Sequence, residues 1–62
     1  MRKQFWAKLK SRGQSFVWFR KNYVDHLELD IAKNTIYQQA KGDLVTIHPR
    51  LKAAMKYYLK NG

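Results

Sequence analysis

Apolar residues recur at helical spacing along the first third of the chain. The stretch 2–11 consists of helix-forming residues, with Phe5 and Leu9 four positions apart on one side. Gly13 follows at a position where helices commonly end, and Ser15 offers a side-chain oxygen that can cap a second helix over about 16–24. The apolar stripe of that helix consists of Phe16, Phe19, Tyr23 and Val24, while Arg20 and Lys21 face away and Trp18 lies on a further side.

A third helix is indicated by Ala32, Ile36 and Ala40, which recur every four residues until Gly42 ends the run before Asp43. Residues 25–30 alternate acidic and apolar side chains, and we interpret them as an irregular connection. This third helix would bury Ile36 and Ala40 and expose its polar residues.

The last third of the chain predicts a loop and a fourth helix. Residues 44–47 are rich in β-branched side chains but lack a partner strand, so we expect a loop whose apolar side chains pack on the core. His48 precedes Pro49, which favours the first turn of a helix that runs to Lys60. One side of this helix carries Leu51, Met55, Tyr58 and Leu59, and another side carries Lys52, Lys56 and Lys60.

These elements predict an all-α, small four-helix domain over residues 1–62. A chain of 62 residues that begins with Met1 and lacks a signal-like apolar run is expected to be one complete domain. No stretch of 18 apolar residues is present, so no membrane span is expected. The absence of cysteine excludes disulfides and thiolate metal clusters and is typical of a cytoplasmic protein.

Charge is distributed unevenly along the sequence. Thirteen Lys and Arg residues against four Asp and Glu residues give a net charge of +9. Residues 1–24 and 44–62 contain no acidic side chain, because all four acids lie between residues 25 and 43. Such a cationic protein is typical of binders of nucleic acid or anionic membranes.

Little in the sequence supports catalysis. His26 and His48 are the only imidazoles, and neither has a partner at metal-ligand spacing. Asp25, Glu28 and Asp30 form a local acidic cluster without a second cluster to complete an active site. We therefore expect a protein that is not an enzyme and that needs no metal or other cofactor.

The outward face of the third helix is the candidate for reading DNA. It carries amide and lysine side chains, which pair with base edges in the major groove, and no acid lies between Lys33 and Lys41. The expected base-contacting residues are Lys33, Asn34, Thr35, Tyr37 and Gln38. The expected contacts to the phosphate backbone are Lys3, Lys8, Lys10, Lys41, Lys52, Lys56 and Lys60. Double-stranded DNA is the expected partner, and RNA stays open as a ligand.

Two parts of the sequence resemble the lambda-repressor/Cro-like helix-turn-helix regulators of phages and mobile elements. The string 34–42, followed by Pro49-Arg50-Leu51-Lys52, is similar to the family's recognition helix and what comes after it. Gly13-Gln14-Ser15, with Phe19 and Tyr23 four and eight residues after the serine, resembles the start of its second helix. The resemblance covers about residues 6–59 and implies a sequence-specific transcriptional regulator that reads the major groove with its third helix.

The chain departs from this family between the second and third helices. The family has a tight turn there, usually with a glycine, whereas about six additional residues separate Tyr23 from Ile31 and none of them is glycine. Ala32 stands where the family tends to have a serine cap, so capping would fall to Asp30 or Asn34.

Two other classes of function fit the sequence. Exposed aromatic side chains would make the chain a protein-interaction module, and the expected anchors are Trp6, Trp18 and the Tyr57-Tyr58 pair. Mixed aromatic and lysine residues in 5–10 would suit a cationic membrane-active protein. The acidic cluster and the helix boundaries marked by proline and glycine favour a globular fold without a membrane partner. A homodimer stays possible.

Overall fold

The computed structural model describes residues 1–42 and 46–61. Its helices are α1 (Arg2–Ser11), α2 (Phe16–Phe19), α3 (Lys33–Lys41) and α4 (Pro49–Asn61). No β-strand occurs within the described ranges. The predicted all-α class with four helices is therefore confirmed, and the bounds of α1 are those predicted.

The second helix is longer and less regular than the apolar pattern predicted. It consists of α2, a π-helical turn at Arg20–Val24 and a 3-10 turn at Asp25–Leu27, which follow one another without a break. The wider π turn brings Val24 into the core, five residues after the buried Phe19. Tyr23, predicted on the buried stripe, lies at its edge and stacks on Phe19 with ring centroids 5.2 Å apart.

The prediction that Arg20 faces away from the core is wrong. Arg20 is buried, and its Nη1 donates to both carboxylate oxygens of Asp25 at 2.8 and 3.1 Å. Because the π turn brings residues five apart close together, the guanidinium finds its partner one turn along the chain. Trp18 also lies closer to the core than predicted, edge-on to Tyr58 at 6.2 Å.

Aromatic rings form the centre of the core. The ring of Phe5 lies 4.7 Å from that of Phe19 and 5.6 Å from that of Tyr58, and both pairs are edge-to-face, a favourable geometry. The predicted core residues Ile36 and Leu51 are 5 % and 0 % exposed. The buried apolar residues come from all four helices and are Phe5, Leu9, Phe16, Phe19, Val24, Ile36, Ala40, Leu51, Ala54, Met55 and Tyr58.

The connection into α3 contains a residue other than glycine in the left-handed region. Glu28 adopts φ 52° and ψ 48°, a conformation that costs an L-residue about 1 kcal/mol and that glycine adopts freely. The N-cap of α3 is Ala32, which is exposed and makes no side-chain capping hydrogen bond. The predictions that Asp30 or Asn34 caps this helix and that Ala32 belongs to its buried stripe are therefore wrong.

The far end of α3 follows the prediction. Gly42 ends the helix with φ 98°, in the left-handed region. Of the loop predicted to pack on the core, Ile47 is half-buried against it, whereas Leu44 and Val45 lie outside the described residues, as does Asp43. The loop prediction is thus supported at Ile47.

Candidate nucleic-acid interface

Helix α3 is held against the core by one face. Ile36, Gln39 and Ala40 are buried on that face, and Ile36 and Ala40 belong to the apolar core. The amide of Gln39 is a buried polar group with a specific partner, because its Oε1 accepts a hydrogen bond from the backbone N–H of His48 at 2.8 Å. This contact joins α3 to the segment that begins α4.

Two side chains of α1 close the C-terminal end of α3. Arg2 Nε donates to the carbonyl oxygen of Gln39 at 3.0 Å, and Trp6 Nε1 donates to that of Ala40 at 2.9 Å. The last carbonyls of a helix lack partners within the helix, so these donors satisfy groups that would otherwise need water. The aliphatic part of Arg2 also lies against Gly42, where Cδ would be 3.3 Å from an added Cβ.

The opposite face of α3 is polar and open to solvent. Lys33, Asn34 and Lys41 are exposed, and Tyr37 is 38 % exposed. The rings of Tyr37 and Trp6 meet edge-to-face with their centroids 6.0 Å apart. Lys41 Nζ lies 5.5 Å from the centroid of the Tyr37 ring. Four of the residues predicted to meet DNA are therefore present on the exposed surface of one helix.

The other two predicted base contacts, Thr35 and Gln38, are half-buried. They lie three residues apart on one flank of the exposed face, and their partial burial places them nearer the protein than Lys33 and Asn34. Base contact by Thr35 or Gln38 would need closer approach of a DNA groove than contact by the fully exposed residues.

A shallow groove of about 330 Å³ separates α3 from the start of the second helix. Lys33, Asn34 and Tyr37 form one wall. The facing wall includes Ser15 and the half-exposed Val17. Ser15 caps the second helix by accepting the backbone N–H of Trp18 at 3.1 Å, as the sequence predicted for this serine. The first turn of the second helix thus borders the predicted reading face.

The cationic residues of α1 and α4 divide into two groups. Lys3 and Lys52 line one depression together with Arg2, which places them near the C-terminal end of α3. Helices α1 and α4 run parallel, because Lys3 is beside Lys52 while Lys8 reaches the carbonyls of residues 58 and 59. Lys10 is therefore about 10 Å further along α1 than Lys3, toward the second helix, and Lys60 lies near the C-terminal end of α4. Lys56 is exposed between the two ends of α4.

Lys8 has a structural role that its sequence position did not indicate. Its Nζ donates to the carbonyl oxygens of Tyr58 and Leu59 at 2.9 and 3.1 Å and lies 5.0 Å above the Tyr58 ring. An ammonium at the C-terminal end of a helix satisfies its last carbonyls and complements its dipole. Lys8 therefore contributes to the closure of α4, and a simultaneous phosphate contact is unfavourable for it.

Three of the predicted aromatic anchors, Trp6, Trp18 and Tyr58, are less exposed than expected. Tyr58 is fully buried, so the expectation that it is exposed is wrong, and its hydroxyl donates to Oε1 of Gln14. Burial raises the pKa of the Tyr58 phenol, with a lowering contribution from Arg12 and a raising one from Tyr23. Trp6 is half-buried. Tyr57, by contrast, is 59 % exposed.

The histidines and acids of the described segments do not converge. Within residues 1–42 and 46–61, no three His, Cys, Asp or Glu side chains are grouped so that they could hold a metal ion. His48 has a local role, since its Nδ1 accepts the backbone N–H of Arg50 at the start of α4. In the same part of the chain, no helix combines the length and apolar character that crossing a bilayer requires.

Comparison of the chain with protein-family models, with curated proteins and with solved structures gave no significant match.

Proposed function

We propose that this chain is a small DNA-binding transcriptional regulator that places α3 in the major groove. The observation that carries the proposal is the exposed surface formed by Lys33, Asn34, Tyr37 and Lys41, which contains no carboxylate. Asparagine can pair with adenine through two hydrogen bonds, and lysine can contact guanine or a phosphate. A rigid helix with such a surface has the composition that base reading needs.

The fixed position of α3 supports this role. Its C-terminal end is held by Arg2 and Trp6, and its inner face by the contact between Gln39 and His48. A helix that is already held in place loses little conformational entropy when it enters a groove. The four exposed side chains would then meet a duplex from a preformed surface.

Phosphate contacts are expected from cations that border α3. Lys3 and Lys52 lie near its C-terminal end, and Lys41 lies on its last turn. These side chains could follow the two phosphate backbones on either side of the groove, in the manner of other proteins that insert a helix. The further description of the chain as a phage or mobile-element regulator rests on its resemblance to the Cro-like family.

The test measures the affinity of the chain for a random-sequence duplex by fluorescence anisotropy, at salt concentrations from about 50 to 200 mM. We expect the logarithm of affinity to fall with the logarithm of salt with a slope of about −4 to −5 for the unmodified chain, corresponding to four to six phosphate contacts. Lys33→Gln combined with Lys41→Gln should reduce the magnitude of that slope by about 1.8 if both lysines touch phosphates.

Lys56→Gln combined with Lys60→Gln is the matched control, because it also removes two charges, and no described residue of α4 lines the groove beside α3. Its slope should stay close to that of the unmodified chain. Equal effects of the two double variants would show that only net charge matters, and a flat salt profile would overturn the proposal. Tighter binding to a single-stranded RNA than to the duplex would assign the surface to RNA instead.

Sequence reading is tested separately with a target selected from a randomised duplex library. Asn34→Ala should lower the preference for that target over random duplex by about tenfold, since a good bidentate contact contributes about 1 to 3 kcal/mol of discrimination. Affinity for random duplex should change little, because non-specific binding depends on phosphates.

A further inference from the structure

A second groove on the described surface lies away from α3, between the second helix and α4. Its volume is about 580 Å³, within the range of pockets that hold compact ligands or several anchoring side chains. Tyr23 and Leu27 form one wall, and Ala53, Ala54 and Tyr57 form the other. None of the residues on the predicted DNA-reading surface belongs to it. We call it the α4 groove.

The α4 groove is apolar and accessible. Tyr57 is 59 % exposed, Ala53 is exposed, and Leu27 is half-buried. The rings of Tyr23 and Tyr57 lie 6.2 Å apart, so they form an aromatic wall beside the small side chain of Ala53. Tyrosine side chains around a small-residue floor are typical of surfaces that accept an apolar anchor from another protein.

The charged side chain that lines the α4 groove is cationic. Arg50 and His26 line it, and no lining residue is acidic. Lys56 and Lys60 follow Ala53 and Tyr57 by three residues on α4, so they lie next to the groove on the helix surface. Asp25 and the exposed Glu28 adjoin the lining residues His26 and Leu27 in sequence, and Asp25 is paired with Arg20.

We propose that the α4 groove is a docking surface for an acidic amphipathic helix of a partner protein. Apolar side chains of that helix, spaced by three or four residues, would enter between Tyr57 and Leu27, and its carboxylates would meet Arg50 and the α4 lysines. A second copy of this chain is a poor occupant, because it has the same net charge of +9 and would bring like charges together. This proposal does not depend on DNA binding.

The experiment uses a synthetic helical peptide with leucine and tryptophan along one face and glutamate on the others. Its two controls are a scrambled peptide of the same composition and a peptide in which lysine replaces glutamate. Binding to the full chain is measured by titration of backbone amide chemical shifts. We expect shifts centred on residues 22–27 and 50–57 with the acidic amphipathic peptide and much weaker binding of both controls.

Ala53→Gln places a longer neutral side chain in the α4 groove and should weaken peptide binding at least tenfold. Ala7→Gln is the matched control, since Ala7 is an exposed alanine on α1, and it should leave affinity within twofold. Arg50→Gln should weaken binding and reduce its salt dependence.

Three results would overturn the proposal. The first is equal binding of the acidic peptide and its scrambled form. The second is self-association of the chain in sedimentation that Ala53→Gln abolishes, because the occupant would then be a second copy. The third is a shift of the same groove resonances by duplex DNA, which would place nucleic acid on this face.

Discussion

Trp6 provides the sharpest test of how α1 positions the predicted DNA-reading helix. Its indole N–H donates to the carbonyl oxygen of Ala40, its ring stacks on Phe16 at 5.4 Å, and its edge meets Tyr37. Trp6→Phe removes the donor and part of the ring. Loss of the hydrogen bond should cost about 0.5–1.5 kcal/mol. The smaller ring should cost about 1 kcal/mol more through lost apolar contact.

The expected total for Trp6→Phe, about 2 kcal/mol, is large for so small a domain, whose core rarely supplies more than about 3–5 kcal/mol. It corresponds to a fall in melting temperature of roughly 8–16 °C. Urea unfolding followed by far-UV circular dichroism measures it without relying on tryptophan fluorescence.

Trp18→Phe is the matched control for this change. Trp18 is also half-buried among aromatic rings, but its indole N–H donates to no other residue in the described part of the chain. Trp18→Phe should lower the free energy of unfolding by about 1 kcal/mol, through lost apolar contact alone. Equal destabilisation by the two variants, or a loss below about 0.5 kcal/mol for Trp6→Phe, would refute the role assigned to the hydrogen bond.

Three further predictions concern stability. Ile36→Ala should cost about 2–5 kcal/mol and leave the chain largely unfolded, and a cooperative melt within about 1 kcal/mol of the parent would contradict the burial of Ile36. Lys8→Met should cost about 1 kcal/mol in urea unfolding, through lost hydrogen bonds to α4, whereas Lys10→Met should change stability by less than about 0.5 kcal/mol. The raised pKa of Tyr58 means that the folded chain holds this phenolic proton more tightly than the unfolded chain. Its stabilising effect is therefore fully present below the unfolded pKa of about 10 and is lost as pH rises through the folded pKa. In urea unfolding across this alkaline range, the free energy of unfolding should fall more steeply with pH for the parent and for Tyr57→Phe than for Tyr58→Phe. Identical pH profiles for the three proteins would contradict the role assigned to Tyr58.

The sequence predicted well what depends on neighbouring residues. Helices α1 and α4 are predicted to within one residue at each end, because their apolar spacing and the markers Gly13 and Pro49 act locally. Ser15 and Gly42 likewise perform the capping roles that their chemistry favours. The polar face of α3 was predicted from the same helical period that buries the opposite face.

The differences from prediction arise where packing in the folded domain decides the outcome. The π turn buries Arg20 because Val24 packs in the core and Asp25 supplies an ion-pair partner. A regular helical period of about 3.6 residues predicts neither contact. Lys8 looks like any exposed lysine until α4, fifty residues along the chain, brings its last carbonyls within reach. Gln39 is buried because the His48 amide meets it, so polarity alone gives no signal of its position.

The side-chain hydrogen-bond donors of α1 also determine when this protein can fold during its synthesis. Residues 2, 6 and 8 are synthesised first, yet their acceptors are the carbonyls of residues 39, 40, 58 and 59. While the ribosome is still making the later residues, the donors of α1 lack their acceptors at the C-terminal ends of α3 and α4. A short isolated helix such as α1 is only marginally stable in water. The four helices can therefore assemble into the native domain only after residue 59 has left the ribosome.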